Sequence, residues 1–252
     1  MPWQDVLGRM AGAQDDLRCL PQGGQNVAKP DACANVHCMR AIGLLRYWRL
    51  LSTALLVLGV PPPSLAAAQE LEEVSREGEK AILTQPGLEI TGAAHPDVTI
   101  VEYFDYNCPF CKRVVPTFRQ LLASDGKLAI VYKDWPVLGE ASVYAARCAL
   151  AAGWQDKYLA AHDALLSGPR LSQNDQIESI LKSAGIDVVR LKKDLAAHSQ
   201  EISAVLARND AEAHSLELEG TPGIMVGRQL MPGGADLGFF QKLIVQTRRE
   251  PK

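Results

Sequence analysis

The chain lacks a marked excess of charge of either sign and lacks a long apolar run. Its formal net charge is −3 over 252 residues, and its pI is about 6.0. A protein without a global basic field does not attract nucleic acid or anionic lipid, so we expect no nucleic-acid partner. The apolar run Leu50–Val60 is shorter than the roughly 20 residues that a membrane-spanning helix needs.

The surroundings of Leu50–Val60 are typical of a cleavable export signal. Arg40, Arg46 and Arg49 precede the run, prolines follow it, and Ala66–Ala68 offers small residues to a signal peptidase. This order of positive, apolar and small residues is that of a secretory signal peptide, with an uncleaved anchor as the alternative.

The N-terminal part therefore divides into three segments. We predict a signal peptide over residues 39–68, with Met39 as the true start of the protein. Residues 1–38 carry acidic side chains that are unfavourable ahead of an export signal, and we expect them not to be part of the working protein. Residues 69–86 are predicted to form an N-terminal helical segment, with the helix itself over residues 71–83.

Cysteine is scarce, and export leaves only Cys108, Cys111 and Cys148 of the six in the chain. An odd number of cysteines does not form a multi-bridge scaffold. A single Cys-x-x-Cys offers too few ligands for zinc, which takes about four, so we expect no metal. A permanent bridge between Cys108 and Cys111 closes almost no loop and gains little stability. A reactive dithiol fits the pair best.

The local pattern around the pair favours a reactive thiol. Thr99–Tyr106 is rich in β-branched and aromatic residues, which predicts a buried strand. Cys108 follows at a predicted helix N-cap, with Pro109 at the first helical position. The helix dipole and free N–H groups at this end favour a thiolate at Cys108. Cys111 lies one turn later, and we expect it to be the buried, resolving thiol.

The order of elements predicts an α/β fold. A second strand is expected at Leu128–Asp134, and residues 139–218 show helical spacing only. A hairpin and a last helix follow from residue 219. Alternating strands and helices imply a mixed sheet covered by helices. We predict one domain formed by residues 87–138 and 219–252, with an inserted all-helical subdomain over residues 139–218.

Two motifs resemble a known superfamily. Cys108 to Pro116, CPFCKRVVP, matches the CxxC-K-x-x-x-P of thioredoxin-like proteins, and Gly220-Thr221-Pro222 follows far downstream. Together with the helical insertion and the export signal, they resemble the secreted DsbA family over about residues 87–248. The resemblance implies a thioredoxin-like mixed sheet and protein disulfide exchange in the periplasm. No cofactor is implied beyond the redox-active disulfide Cys108–Cys111.

The resemblance also assigns roles to four further residues. Pro222 would follow a cis peptide bond beside the dithiol, and the backbone of Thr221 would pair with an extended substrate. Glu102 would be a buried acid that relays protons to the buried cysteine. Lys133, in the neighbouring strand, would be the partner of Glu102, because a buried charge without a partner is costly.

The last expectation concerns the direction in which electrons flow between the dithiol and its client proteins. Strong oxidants of the family carry histidine where this chain has Phe110, and tend to carry valine where it has Thr221, which indicates a milder oxidant. We expect a monomer, with unfolded or misoxidised exported proteins as substrates and a DsbB-like membrane partner. The alternatives are a reductase or isomerase kept reduced by a DsbD-like membrane donor, and a non-catalytic holdase or copper-binding protein.

Overall fold

The computed structural model describes residues 71–250. The predicted signal peptide at 39–68 and the segment 1–38 lie outside the described residues. Six strands and eight α-helices follow one another in the described part, in this order: β1 (Glu72–Glu73), α1 (Arg76–Leu83), β2 (Glu89–Gly92), β3 (Val98–Phe104), α2 (Pro109–Ser124), β4 (Leu128–Asp134), α3 (Glu140–Ala152), α4 (Tyr158–Ser167), α5 (Asn174–Ser183), α6 (Val188–Ala197), α7 (Ser199–Ser215), β5 (Gly223–Val226), β6 (Gln229–Pro232) and α8 (Leu237–Arg249). Within residues 71–250, no helix has both the length and the apolar character that crossing a membrane requires.

The strands form one mixed sheet in the order β1-β6-β5-β3-β4-β2. Strands β3 and β4 are parallel, and the other neighbours are antiparallel. Strand β3 is central, and nearly all of its side chains are buried. This placement explains its apolar, β-branched sequence, since a strand covered on both faces has no polar side.

The helical insertion is present between β4 and β5. Five helices, α3 to α7, occupy residues 140–215 without an intervening strand. Their buried apolar side chains form one cluster that also includes Phe104, Tyr106 and both cysteines of the Cys-x-x-Cys pair. The predicted fold class, a mixed sheet with an inserted all-helical subdomain, is therefore confirmed. The insertion packs directly against the end of β3 where the dithiol lies.

The N-terminal segment differs from its prediction. The helix begins at Arg76 instead of residue 71, because Ser75 caps it by accepting from the amide of Gly78 over 3.0 Å. Glu72 and Glu73 instead form the short edge strand β1, which pairs with Leu230 and Gln229 of β6. A two-residue strand depends on a partner more than 150 residues away in sequence, which local periodicity does not reveal.

Candidate active site

Cys108 lies at the junction between strand β3 and helix α2. Its backbone is extended, with φ −71° and ψ 117°, and Pro109 begins the helix behind it. The Cys108 amide donates to the carbonyl of Asp105 over 3.0 Å, and the Cys108 carbonyl accepts from the amide of Lys112 over 3.1 Å. The first N–H groups of a helix have no partner within it, and they stabilise negative charge at this end.

Hydrogen bonding lowers the pKa of Cys108 from 9.0 to about 5. The largest contribution is the hydrogen bond from the Cys111 thiol. The Thr221 side chain and the backbone of Cys111 and Phe110 act in the same direction, while burial opposes them. A thiol with this pKa is almost entirely ionised at pH 7, and the thiolate is the nucleophile of disulfide exchange.

Cys111 has the opposite character. It is fully buried one turn into α2, whereas Cys108 keeps 3% of its exposure. Burial raises the pKa of Cys111 far above its ordinary value, and the hydrogen bond to Cys108 and the charge of Glu102 add to this effect. Both residues are free thiols in this structure. At neutral pH the pair therefore holds one thiolate, on Cys108, and one proton, on Cys111.

The structure brings Thr221 and Pro222 to the same place. The Sγ atom of Cys108 lies 3.1 Å from the carbonyl oxygen of Thr221, to which it donates when it is protonated. The peptide bond between Thr221 and Pro222 is cis, as the resemblance implied. Pro222 is buried and leads directly into β5, while Thr221 remains partly exposed. Thr221, whose carbonyl lies next to the reactive sulfur, is therefore partly accessible to solvent.

Glu102 is buried in the middle of β3, with 1% of its surface exposed. Side chains alternate along a strand, so Glu102 faces the same side as Ile100, which packs against Val114 and Phe118 of α2. Burial, followed by the charge of Cys108, raises the pKa of Glu102 to about 8. Its Oε1 atom has no hydrogen-bond partner among residues 71–250. Glu102 is therefore mostly protonated at pH 7.

The predicted pairing of Lys133 with Glu102 is wrong. In the register of β3 and β4, Glu102 lies opposite Tyr132, and Lys133 lies opposite Tyr103. Since alternate side chains point to opposite faces, Lys133 extends from the face of the sheet away from Glu102. There its Nζ atom forms an ion pair of 3.0 Å with Glu212 of α7. Lys133 is thus a structural partner of the helical insertion and lies apart from the dithiol.

The sequence alone assigned no role to two polar residues beside the dithiol, Asn107 and Lys112. Asn107 donates to the carbonyl of Leu171 over 3.1 Å and accepts from its amide over 2.7 Å. The Nζ atom of Lys112 donates to the carbonyls of Gly168 and Pro169 over 2.8 and 3.0 Å. Both therefore bind residues 106–112, which we call the redox loop, to the segment that follows α4. Their position next to the two cysteines could have indicated a role for them, but their distant partners could not be inferred from the sequence.

Three exposed apolar side chains lie on the redox loop or on the loop that Asp105 binds. Phe110, Leu138 and Val137 keep 53%, 50% and 44% of their surface exposed. The guanidinium carbon of Arg113 lies 4.2 Å from the centre of the Phe110 ring. The amides of Val137 and Leu138 are both bound to Asp105, which places this loop beside Cys108. We refer to Phe110, Val137 and Leu138 as the apolar rim.

Residues 99–245 match the family described as DSBA-like thioredoxin domain. Among solved structures, a thioredoxin-like oxidoreductase from Silicibacter pomeroyi DSS-3 is 34% identical, with a TM-score of 0.65, and the match covers 71% of this chain and 100% of that one. The thiol-disulfide exchange protein alpha-DsbA2 from Wolbachia pipientis is 27% identical, with a TM-score of 0.64, over 68% of this chain and 92% of that one.

Two relatives known by sequence match this chain over a smaller share of their own length than the solved structures do. "Probable disulfide bond formation protein D" of Bacillus anthracis is 27% identical over 146 residues, which are 53% of this chain and 66% of that protein. "Na(+)/H(+) antiporter NhaA 1" of Salinispora arenicola is 29% identical over 171 residues, which are 65% of this chain and 26% of that protein. The chain thus spans about two thirds of the first relative and about a quarter of the second.

Proposed function

The chain belongs to the DSBA-like thioredoxin domain family, and from this membership we propose that it is a periplasmic thiol–disulfide oxidoreductase. In this proposal it transfers a disulfide from Cys108–Cys111 to exported proteins. The observation that carries the proposal is the environment of Cys108, whose pKa is lowered to about 5 by hydrogen bonds at the start of α2. The pair itself is the only redox group that the reaction needs.

The first step is attack on the oxidised pair. A thiolate of the client protein attacks Sγ of Cys108, the Cys108–Cys111 bond breaks, and Cys111 leaves as a thiolate. A mixed disulfide now joins the client to Cys108. Because Cys111 has a strongly raised pKa, its thiolate takes up a proton at once. Glu102, whose pKa of about 8 keeps it protonated at neutral pH, is the proposed proton donor.

The second step releases the client. A second client thiolate attacks the client sulfur of the mixed disulfide, a client disulfide forms, and Cys108 leaves as a thiolate. Two electrons have then passed from the client to the pair, which is left reduced. A thiol of low pKa is a good leaving group, so the environment of Cys108 accelerates this step. A DsbB-like membrane partner is proposed to reoxidise the pair.

The low pKa of Cys108 supports the oxidase direction. Stabilising the thiolate stabilises the reduced form, and a pair that is stable when reduced is an oxidant towards its clients. Each pKa unit corresponds to ~1.4 kcal/mol, or ~30 mV for this two-electron couple. Phe110 cannot donate a hydrogen bond to the thiolate from its ring, and this supports a milder oxidant than relatives with histidine at that position.

Unfolded or misoxidised polypeptides are the proposed clients. Thr221 is partly exposed beside Cys108, and in this proposal an extended client segment pairs with its backbone by strand addition. The apolar rim lies close by and offers contact to apolar side chains that a folded protein would bury. The site thus combines backbone pairing, which ignores sequence, with a general affinity for apolar segments.

The proposed periplasmic location and monomeric state rest on the N-terminal sequence. The signal-like pattern over residues 39–68 supports export to the periplasm, where a monomer would meet its clients and its membrane partner. N-terminal sequencing of the protein from a periplasmic extract tests this point. We expect a mature start close to Gln69, whereas a mature protein that retains residues 1–38 contradicts the proposal.

Disulfide exchange is tested with reduction of insulin by dithiothreitol and with refolding of a scrambled disulfide protein. We expect the wild type to accelerate both reactions and Cys108→Ser to abolish both. Cys148→Ser is the matched control, because Cys148 is fully buried in α3 and burial raises its pKa to about 12. A Cys108→Ser variant as active as the wild type would identify a binding protein that does not turn over.

The direction is tested separately, by trapping thiols in cells with a mass-tagging alkylating reagent. Cys108 and Cys111 found mainly as a disulfide support the oxidase. The same pair found mainly as thiols indicates a reductase or isomerase that a membrane donor keeps reduced, and this result would overturn the proposed direction while leaving the exchange chemistry intact.

A further inference from the structure

Asp105 is in backbone contact with both cysteines of the pair. Its carbonyl accepts from the amide of Cys108 over 3.0 Å. Its own amide is hydrogen-bonded to the sulfur of Cys111. A displacement of this one residue therefore shifts the backbone of Cys108 and changes the surroundings of the Cys111 sulfur.

The carboxylate of Asp105 holds the residue in place. It is buried, with 1% of its surface exposed. Oδ1 accepts from the amide of Asn107 and the hydroxyl of Ser142, both over 2.7 Å. Oδ2 accepts from the amides of Val137 and Leu138 over 2.8 and 2.9 Å. Each oxygen thus has two donors, which fills the hydrogen-bonding capacity of a carboxylate.

The four donors come from three separate parts of the chain. Asn107 belongs to the redox loop itself, Val137 and Leu138 to the loop after β4, and Ser142 to the first turn of α3. No other carboxylate near the dithiol has this arrangement: in the described part of the chain, the Oε1 atom of Glu102 has no partner at all. Asp105 therefore joins the redox loop, the apolar rim and the helical insertion.

We propose that Asp105 is a positioning residue for disulfide exchange, because its carboxylate fixes the backbone segment that holds the amide of Cys108 and contacts the sulfur of Cys111. This inference rests on the proposed function and adds a residue to it. Without the carboxylate, the amides of Asn107, Val137 and Leu138 lose their acceptor, and the segment must move to find another. The N–H groups that face Cys108 would then be less well aligned with it.

A purely electrostatic role for Asp105 predicts the opposite result. Removing a negative charge near a thiolate favours the thiolate and lowers its pKa. Misaligning the hydrogen-bond donors raises the pKa of Cys108 towards that of a free thiol. The other titratable groups that face Cys108 are Glu102 of β3 and Cys111 of α2, and both stay unchanged in the variants. The direction in which the pKa of Cys108 shifts therefore distinguishes a positioning role of Asp105 from an electrostatic one.

The test is the rate of iodoacetamide alkylation of Cys108 against pH, in the reduced full-length protein. We expect Asp105→Ala to raise the pKa of Cys108 by at least one unit, which lowers the thiolate fraction at pH 6 and slows alkylation there by at least about 1.8-fold. Asp105→Asn keeps one acceptor oxygen, and we expect it to restore part of the wild-type value. In turnover with a client protein, kcat should fall more than KM rises.

Asp187→Ala is the matched control. Asp187 also accepts from two backbone amides, those of Val189 and Arg190, at the start of α6. Its loss should lower stability and leave the pKa of Cys108 unchanged. If Asp105→Ala does not fold, Ser142→Ala removes a single donor and should shift the pKa in the same direction by a smaller amount.

An unchanged or lowered pKa in the Asp105 variants overturns the inference. Alkylation needs no client protein, so this result is independent of the proposed function. A wild type that is inactive with insulin but shows the expected shifts would refute the proposed activity and leave the positioning role of Asp105 standing.

Discussion

At the scale of single residues, two buried acids near the end of β3 differ in their hydrogen bonding: Glu102 lies within the strand and Asp105 directly after it. Asp105 accepts four hydrogen bonds, whereas Oε1 of Glu102 accepts none from the described residues. A carboxyl group without donors is easier to keep protonated than to keep charged, because burial penalises the charge. The first arrangement suits a fixed anchor, and the second suits a group that exchanges a proton.

Glu102→Gln should change how stability depends on pH. The pKa of Glu102 is about 8 in the folded, reduced protein against 4.5 as the ordinary value. The folded chain therefore holds a proton that the unfolded chain has lost, and the free energy of unfolding falls by ~1.4 kcal/mol per unit as pH rises through this window. Glutamine cannot ionise, so the variant escapes this loss.

Denaturant titration of reduced wild type and Glu102→Gln at pH 5 and pH 8 measures the effect. We expect the variant to gain about 3 kcal/mol relative to the wild type between the two pH values. Glu89 and Asp134, whose pKa values are each raised to about 7, cancel in the comparison because both proteins contain them. A difference that does not vary with pH would show that Glu102 is ionised in the folded protein.

How far single residues are predictable depends on the range of the contact. The position of Cys108 at an N-cap follows from its neighbours, the strand before it and Pro109 after it. The partner of Lys133 does not follow, because a shift of one residue in the register between two strands moves a side chain to the other face. Most contacts of Asp105 were equally hidden, since three of its four donors lie more than 30 residues away.

At the scale of elements, the end of strand β2 depends on a glycine. Gly92 has φ +105°, and a Cβ atom there would overlap the carbonyl oxygen of Leu128 and lie 2.8 Å from Cδ2 of Leu122. The close approach lets the next amide, that of Ala93, donate to the same carbonyl over 2.9 Å. This hydrogen bond extends the pairing between β2 and β4 beyond the end of β2.

Gly92→Ala should therefore destabilise the protein by about 2–4 kcal/mol, from backbone strain together with overlap. Gly87→Ala is the matched control, because Gly87 has φ +70° and its Cβ would meet no heavy atom of the described chain within 4 Å. It should cost about 1 kcal/mol, for the strain alone. Equal losses in thermal or denaturant unfolding would show that the close approach at Gly92 is relieved without cost.

Elements with strong local signals were predictable, and those that depend on distant pairing were not. Strand β3 was expected at Thr99–Tyr106 and is found at Val98–Phe104. Helix α6 starts after Asp187, whose side chain accepts from the amides of Val189 and Arg190, a cap formed by neighbouring residues alone. Strand β1 was missed because its pairing with β6 alone defines it. Pro116 lies inside α2, which continues to Ser124.

At the scale of the whole molecule, the helical insertion supports the redox loop. Asn107 and Lys112 bind the segment after α4, and Asp105 binds the start of α3. The dithiol is therefore held from the side of the insertion as well as from the sheet. The order of segments in the chain made an insertion predictable, but the contacts between insertion and sheet depend on tertiary packing.

The stability of the whole protein should depend on the redox state of the pair. The pKa of Cys108 is about 5 in the folded, reduced protein against 9.0 ordinarily. This depressed pKa contributes stability that is complete above about pH 9 and is lost as pH falls towards 5. The raised pKa of Cys111 acts only above its ordinary value of 9.0, outside this window. The oxidised protein has neither contribution.

We therefore expect Tm of the reduced protein to exceed Tm of the oxidised protein at pH 8, and the difference to shrink as pH falls to 5. Calorimetry of the two forms in matched buffers measures it. A difference that grows on acidification would mean that the folded protein disfavours the Cys108 thiolate.

The most direct measurement is the thiolate absorbance at 240 nm of the reduced protein as a function of pH, with Cys108→Ser as the blank. The account predicts a single transition near pH 5 that the blank lacks, which would show that Cys108 is ionised at neutral pH. A transition near pH 9, like that of an exposed thiol, would contradict it.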